Sequence, residues 1–176
     1  MSVETDTPPA TRRRASRVGL AILVIVVLAV GGYWLVDRAA LSARQAEVAE
    51  RGADVMPFAL DETTHEFRPS PDGGVQTVVA DEGADGKQVD LIRGHLREEA
   101  QRFRRGDFSD PAAIHGQQMP GLQALSDRAG EIDITYTDVA DGGRITYVTE
   151  DPGLVEALHH WFDAQLRDHG HDAVGG

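Results

Sequence analysis

The sequence predicts an α+β protein in which a single N-terminal transmembrane helix precedes one domain built from two ββα units. Three observations support this prediction. Residues 18–36 contain no charged side chain, the tripeptide Asp-Gly-Gly occurs twice between runs of β-forming residues, and a segment with an apolar stripe at helical spacing follows each of these hairpin patterns. We therefore expect one antiparallel four-stranded sheet, formed by a ββα-ββα pseudo-repeat, with both long helices on one face.

The uncharged segment, residues 18–36, is long enough to cross a lipid bilayer. As a helix, its 19 residues extend about 28 Å, close to the thickness of the hydrocarbon layer. Four basic residues precede the segment, and basic residues beside a transmembrane helix are retained on the cytoplasmic side. We therefore expect a single-pass protein of the cell membrane with a cytoplasmic N-terminus. The basic residues are Arg12, Arg13, Arg14 and Arg17.

A cleaved signal peptide is the alternative interpretation of this segment. Basic residues followed by an apolar stretch are typical of both, although the apolar part of a signal peptide is usually about 7–15 residues long. Cleavage would fall after Ser42 or Ala43. The chain contains no cysteine, which excludes a lipoprotein anchor. Both interpretations place the same domain outside the cytoplasm.

Composition divides the chain into five segments. Residues 1–17 are polar and are predicted to form a disordered cytoplasmic tail, followed by the transmembrane helix at residues 18–36. Residues 37–56 are rich in helix formers and are predicted to form a juxtamembrane stalk or linker. The extracytoplasmic α+β domain is assigned to residues 57–170, which are enough to bury one core. The remaining residues, 171–176, are predicted to be a flexible tail.

The charge of the predicted outer portion limits the classes of partner. Residues 37–176 carry 13 basic and 27 acidic side chains, a formal net charge of −14. This charge excludes nucleic acid as a ligand and argues against an anionic membrane surface. It leaves cations and basic protein partners. Because cysteine is absent, the domain has no disulfide, thiolate ligand or cysteine nucleophile.

Two hairpins and two helices make up the predicted repeat. Residues 65–80 and 132–149 each contain two β-type runs around Asp-Gly-Gly, whose glycines supply the positive φ angles that hairpin turns need. Asp151 followed by Pro152 is typical of a helix N-cap with proline at the first helical position. Apolar residues then recur at i, i+3 and i+7 in both helices. These positions are Val89, Ile92 and Leu96 in the first helix and Val155, Leu158 and Phe162 in the second.

Histidines are the candidate functional residues. All seven follow the apolar segment, and in a domain without cysteine, imidazoles and carboxylates are the available transition-metal ligands. We select His65, His95, His115 and His169 as candidate ligands for copper or zinc. Met119 lies four residues after His115, and its thioether would suit Cu(I).

Structural roles remain open for each of these histidines. His95 and Glu99 are four residues apart, which is typical of a pair on a helix surface. His169 would cap the C-terminus of a helix, where the helix dipole favours a basic side chain. His115 would pack in a loop, and His65 would occupy the start of an edge strand. His159 could pair with Asp163, while His160 and His171 are expected to face solvent.

Enzyme signatures are missing from the sequence. It contains no G-x-S-x-G nucleophile elbow, P-loop, H-E-x-x-H or G-x-G-x-x-G motif. The two Asp-Gly-Gly turns lack the carboxylate spacing of a calcium loop. The sequence therefore favours a protein that is not an enzyme.

Residues 63–176, about two thirds of the chain, resemble a family of small bacterial proteins of unknown function. The resemblance implies a fold more than an activity, and it includes all four candidate histidines. Some members of that family are labelled aspartate carbamoyltransferase. This chain does not support the label, since it lacks the Ser-Thr-Arg-Thr and His-Pro-x-Gln stretches of that enzyme and is far too short. The resemblance depends on Thr64-His65-x-Phe67, Asp72-Gly73-Gly74, Ile92-x-x-His95-Leu96, Gly106-Asp107-Phe108, Ile114-His115-Gly116, Pro120-Gly121 and Gln165-x-x-Asp168-His169.

These observations lead to two main functional hypotheses. The first is a membrane-anchored, extracytoplasmic interaction or structural module of the bacterial cell envelope, with an envelope protein as its partner. The alternative is an extracytoplasmic protein that binds copper or zinc through histidines. A small enzyme without a recognised motif is a third hypothesis. The metal-binding hypothesis requires at least three of the candidate side chains to lie close together.

Overall fold

The computed structural model describes residues 10–82, 85–170 and 173–175. The chain divides into two compact units, one ending at Ser42 and the other beginning at Ala43. In chain order the helices and strands are α1 (Ala10–Val55), β1 (Thr63–Ser70), β2 (Gly73–Ala80), α2 (Gly86–Phe103), α3 (Ser109–His115), α4 (Leu122–Asp127), β3 (Asp133–Val139), β4 (Gly142–Val148), α5 (Pro152–His169) and β5 (Ala173–Gly175).

The first unit consists of the apolar part of α1. This helix is the one element among the described residues that is long and apolar enough to cross a membrane, by length and composition. Its apolar side chains, including Leu28 and Leu35, are exposed. A signal sequence near the N-terminus would have the same two properties. Residues 1–9 of the predicted disordered tail lie outside the described residues. Residues 10–17 belong to α1, so the prediction of disorder is wrong for them.

The last turns of α1 belong to the second unit. Val48 is buried there, with 1% of its surface exposed. Gln45 Nε2 donates a hydrogen bond to the carbonyl oxygen of Arg167 in α5, at 2.9 Å. Residues 37–56 contain helix formers without a periodic apolar face, and the sequence therefore predicts a stalk. In the structure, the part of this segment from Ala43 onward packs against the α/β unit.

The sheet has five strands in the order β3-β4-β2-β1-β5, rather than the predicted four. The two predicted hairpins, β1–β2 and β3–β4, are present, and antiparallel pairing of β2 with β4 joins them. The fifth strand comes from the segment predicted to be a tail. Residues Ala173–Gly175 pair in parallel with His65–Phe67. Three residues are too few to show the alternation that identifies a strand.

The glycines of the two Asp-Gly-Gly turns serve close packing more than turn geometry. Only Gly73 of the four has a positive φ, at 150°. A Cβ on Gly142 would lie 2.0 Å from the carbonyl oxygen of Val78 in the neighbouring strand. The expectation that these glycines supply positive φ angles is therefore wrong for Gly74, Gly142 and Gly143. They allow β2 and β4 to approach each other and the helices above them.

Helices α2 and α5 cover the same face of the sheet, as predicted. Gly143 and Tyr147 are an even number of residues apart on β4 and therefore share a face. Leu96 of α2 lies over Gly143, and Phe162 of α5 lies over Tyr147, with ring centroids 6.0 Å apart. The core fills the space between this face and the two helices. The wider proposal of an internal repeat stays a prediction.

Capping residues account for the starts of both long helices. Asp151 Oδ1 accepts a hydrogen bond from the Leu154 N–H at 2.9 Å, and Pro152 occupies the first turn, which confirms the predicted cap. Asp85 caps α2 in the same way through the Gln88 N–H. Each cap contributes about 1 kcal/mol. Both helices are 18 residues long, which corresponds to about 27 Å.

Candidate functional site

The four candidate histidines, which we call the histidine cluster, gather in one region of the second unit. His65 is on β1, His95 on α2, His115 at the end of α3 and His169 in the last turn of α5. The His169 ring centroid lies 4.9 Å from that of His65 and 5.0 Å from that of His115. His95 joins this group through Phe58, whose ring centroid is 5.7 Å from His95 and 6.3 Å from His65.

Burial lowers the pKa of three of these imidazoles, those of His65, His95 and His169. His65 and His115 are 3% and 5% exposed, whereas His95 and His169 are partly exposed. Burial, and to a lesser degree the nearby His115 and His95, lower the pKa of His65 to about 4. Burial also lowers the pKa of His169 well below its usual value and lowers that of His95. At neutral pH these three rings therefore each carry one nitrogen with a free lone pair.

Asp168 determines which nitrogen of His115 carries the proton. Asp168 Oδ2 lies 2.9 Å from His115 Nδ1. Burial acts to raise the pKa of Asp168, but the hydrogen bonds from His115 and Arg44 outweigh it and lower that pKa to about 2. Because this carboxylate is ionised, it accepts a hydrogen bond from Nδ1–H. A neutral His115 therefore presents its lone pair at Nε2.

Arg44 holds Asp168 in place from the end of α1. Its Nη2 donates to Asp168 Oδ2 at 2.7 Å, and its Nε donates to Oδ1 at 3.3 Å. The same guanidinium also donates to the backbone carbonyl oxygen of His115. Two-point contact between guanidinium and carboxylate fixes the orientation of both groups. Helices α1, α3 and α5 are thus joined at one polar contact beside His169.

A small cavity adjoins the histidine cluster. Its volume is about 30 Å³, which is enough for about two water molecules. Trp161 lines this cavity and its Nε1 atom is buried; neither this atom nor His65 Nε2 has a hydrogen-bond partner among the described residues. Buried polar atoms without a partner are uncommon and indicate a missing partner. The polar residues around the cavity include His95, Glu99, His115, Trp161, Gln165 and His169.

Glu99 is a buried acid among the residues that line the cavity. Glu99 is 4% exposed, and burial together with the nearby Asp110 raises its pKa to about 8. Arg102 Nη1 lies 3.3 Å from Glu99 and 2.6 Å from Asp110. Glu99 therefore holds its proton at neutral pH, while Asp110 pairs with Arg102. The interpretation of His95 and Glu99 as a surface pair is wrong for Glu99.

Sequence reasoning missed several residues of this site. No sequence pattern marks Arg44 or Trp161 as part of this site. Arg44 contacts Asp168, which is 124 residues away in the chain, and Trp161 belongs to the apolar stripe of α5. Glu99 did carry a signal: it is seven residues after Ile92, on the apolar stripe of α2. Asp168 lies in the last motif of the stated resemblance, directly before His169.

The remaining histidines and Met119 lie elsewhere. His159 Nε2 is within hydrogen-bond distance of the carbonyl oxygens of Ser70 (3.0 Å) and Gly73 (2.9 Å), and so fixes the first hairpin turn to α5. His160 is exposed, and His171 lies outside the described residues. Met119 is buried but does not line the cavity.

The arrangement of the rings can be compared with the needs of a metal ion. Two imidazoles that bind one ion with nitrogens about 2.0–2.1 Å away have ring centres roughly 5 Å apart. The two distances from His169, 4.9 and 5.0 Å, match this spacing. Within residues 10–82, 85–170 and 173–175, however, no three histidine or acidic side chains are already oriented to hold an ion. Side-chain rotation is therefore required for binding.

Comparisons with protein-family models, with curated proteins and with solved structures returned no match. The resemblance of residues 63–176 to a family of small bacterial proteins therefore stays a prediction. The chemistry of the histidine cluster is the main evidence about function.

Proposed function

We propose that this chain is a membrane-anchored extracytoplasmic protein that binds one transition-metal ion, copper or zinc, through the histidine cluster. The observation that carries the proposal is the row of three rings His65, His169 and His115, with centroids 4.9 and 5.0 Å apart. The rings come from three separate elements, so their proximity is a property of the fold and not of local sequence.

The protonation state of the cluster supports the same conclusion. A metal ion competes with protons for imidazole nitrogens, and burial has already made the proton a weak competitor at His65 and His169. The His65 Nε2 atom is buried and has no hydrogen-bond partner within the part of the chain that the structure describes. A bound ion would give that atom a partner and offset the free-energy cost of its burial.

The contact between Asp168 and His115 has the form of a supporting contact for a metal ligand. Metal-binding histidines usually donate their second ring N–H to a carboxylate, which fixes the tautomer and makes the other nitrogen more basic. Here Asp168 accepts from Nδ1, and Arg44 fixes Asp168. We therefore assign Nε2 as the ligand atom of His115. The hypothesis of an envelope interaction module stays a prediction.

Calorimetric titration of the full-length chain in detergent micelles with Cu(II), Zn(II) and Ni(II) tests the metal proposal. The variant His115→Gln/His169→Gln removes two rings of the cluster, and His160→Gln removes an exposed ring from the same helix as His169. We expect binding of one ion per chain in the wild type and in His160→Gln, and loss of that binding in the double variant. Equal affinities for all three proteins would contradict the proposal.

The location of the domain needs its own test. Because the chain contains no cysteine, a single cysteine in the exposed variant Glu98→Cys gives an unambiguous label. An impermeant thiol reagent should modify this cysteine in intact cells. Modification only after the membrane is made permeable would place the domain in the cytoplasm.

A further inference from the structure

The geometry of the cavity points to a metal site with one position open to a small ligand: we infer that an ion on the histidine cluster also takes a water molecule, or a small anion in its place, within the cavity beside Trp161 and Glu99. The inference rests on the proposed function and defines what else the ion binds. Structural metal sites are closed by four protein ligands, whereas sites that exchange ligands keep such a position open.

The cavity adjoins the proposed ligands directly. His115 and His169 are part of its lining, together with Glu99 and Trp161. Its volume of about 30 Å³ limits the occupant to roughly two water molecules or a small anion. Larger substrates are excluded by this volume. Because His95 and His169 are partly exposed, the cavity lies near the surface and a small ligand can enter it.

An unpaired donor supplies the second, independent observation. Trp161 is fully buried, and its Nε1–H has no partner among the residues that the structure describes. An indole N–H is a donor only, so its missing partner is a hydrogen-bond acceptor. A metal-bound water oxygen or a small anion is such an acceptor. A metal site closed by protein ligands alone would leave this donor without a partner.

A second group beside the cavity can donate to a hydrogen-bond acceptor. Glu99 is held in its neutral form by burial and by Asp110, which raise its pKa to about 8. Asp110, which also lines the cavity, pairs with Arg102 Nη1 at 2.6 Å, and the same guanidinium pairs with Asp107 at 2.9 Å. A protonated Glu99 carries one O–H donor, which can be directed either to Asp110, a hydrogen-bond partner that also raises its pKa, or to the occupant.

Azide titration of the copper-loaded full-length chain tests the inference. Azide that binds Cu(II) produces a charge-transfer absorption, so its affinity can be measured separately from that of copper. We expect saturable azide binding in the wild type. The variant Trp161→Phe should bind azide roughly tenfold more weakly, since it loses one hydrogen bond to a charged acceptor, while its copper affinity stays unchanged. Trp34→Phe, the same change in the exposed part of α1, is the matched control.

A second pair of variants keeps the inference testable if Trp161→Phe does not fold. Glu99→Leu removes the other proposed donor, and Glu98→Leu makes the same change at an exposed neighbour. We expect weaker azide binding in Glu99→Leu only. Tight copper binding without any azide response, or equal azide affinities in all variants, would overturn the inference and leave the metal proposal intact. A wild-type chain that binds no copper would overturn both.

Discussion

The substitution Asp168→Asn isolates the role of the carboxylate that supports His115. The two side chains have nearly the same shape, but asparagine is neutral and presents an NH₂ group toward Arg44. The amide oxygen can still accept from His115 Nδ1, in place of the 2.9 Å contact to the carboxylate. The two-point contact with Arg44, at 2.7 and 3.3 Å, cannot be kept, because Arg44 only donates. His115 therefore loses both the basicity and the orientation that a fixed carboxylate confers.

Two magnitudes follow from this geometry. Loss of a partner that supports a metal-bound histidine typically weakens metal affinity by about 10–100-fold, which corresponds to about 1.4–2.8 kcal/mol. The apoprotein is also destabilised. The pKa of Asp168 is lowered to about 2 from 3.8, and at about 1.4 kcal/mol per pKa unit this difference corresponds to about 2 kcal/mol of stability at neutral pH. That contribution is present above pH 3.8 and is lost as pH falls toward 2.

Calorimetry and thermal melting separate the two effects. Melting of the metal-free full-length chain measures the stability loss, and titration with Cu(II) or Zn(II) below the melting temperature measures affinity. Asp163→Asn is the matched control, since Asp163 is an exposed residue of the same helix. A metal affinity of Asp168→Asn equal to that of Asp163→Asn would refute the assignment of Nε2 as the His115 ligand atom.

Three further predictions concern stability. Burial raises the pKa of Glu99 from 4.5 to about 8, so the folded state holds a proton that the unfolded state has lost between these values. The contribution of Glu99 to the free energy of unfolding should therefore fall as pH rises from about 4.5 to 8, and Glu99→Gln should remove this fall. His65 remains neutral in the folded state down to about pH 4, although its usual pKa is 6.5. Its contribution to stability is therefore lost as pH falls from 6.5 to 4, and His65→Gln should reduce that loss. Gly142→Ala should destabilise the protein by about 2 kcal/mol or more, since its Cβ would lie 2.0 Å from a backbone oxygen.

Matched controls accompany these substitutions, and denaturant titration at several pH values is the measurement for all of them. Glu98→Gln and His160→Gln alter exposed residues and should leave the pH dependence unchanged. Gly94→Ala adds a Cβ with open space around it and should stabilise α2 by about 0.5–1 kcal/mol. An unchanged slope between pH 6.5 and 8 in Glu99→Gln would contradict a protonated Glu99. A change of less than about 0.5 kcal/mol in the free energy of unfolding of Gly142→Ala would show that β2 and β4 can move apart easily, which would contradict this prediction.

Local patterns predicted the hairpins and the long helices of this fold. Each hairpin pairs residues that are close in sequence, and each long helix repeats its apolar stripe over several turns. The Asp151 cap was predictable because capping residues act within one turn. The sequence did not predict that β2 pairs with β4. Each hairpin has two outer edges, and no local pattern shows which edge of one hairpin pairs with which edge of the other. The β5 strand contains only Ala173–Gly175 and carries no pattern.

The candidate site was predictable in its imidazoles but not in its supporting groups. His65, His95, His115 and His169 were selected by residue chemistry, and their convergence depends on the helices and strands being placed as predicted. Arg44 and Asp168 are 124 residues apart in the chain, and no spacing rule relates them. Glu99 was misassigned because a carboxylate is usually exposed, although its position on the apolar stripe indicated burial.

The position of Arg44 connects proteolytic processing to metal affinity. The alternative to anchorage is cleavage after Ser42 or Ala43, and a cut at the second bond would make Arg44 the first residue of the mature chain. Its helix would then begin with backbone N–H groups that have no partners, and the first turn of a helix frays when it is not capped. The guanidinium would hold Asp168 less firmly, and His115 would lose its fixed tautomer. Under the proposed function, an uncut α1 would keep Arg44 on Asp168, so the uncleaved chain would bind a metal ion more tightly than the chain cleaved after Ala43.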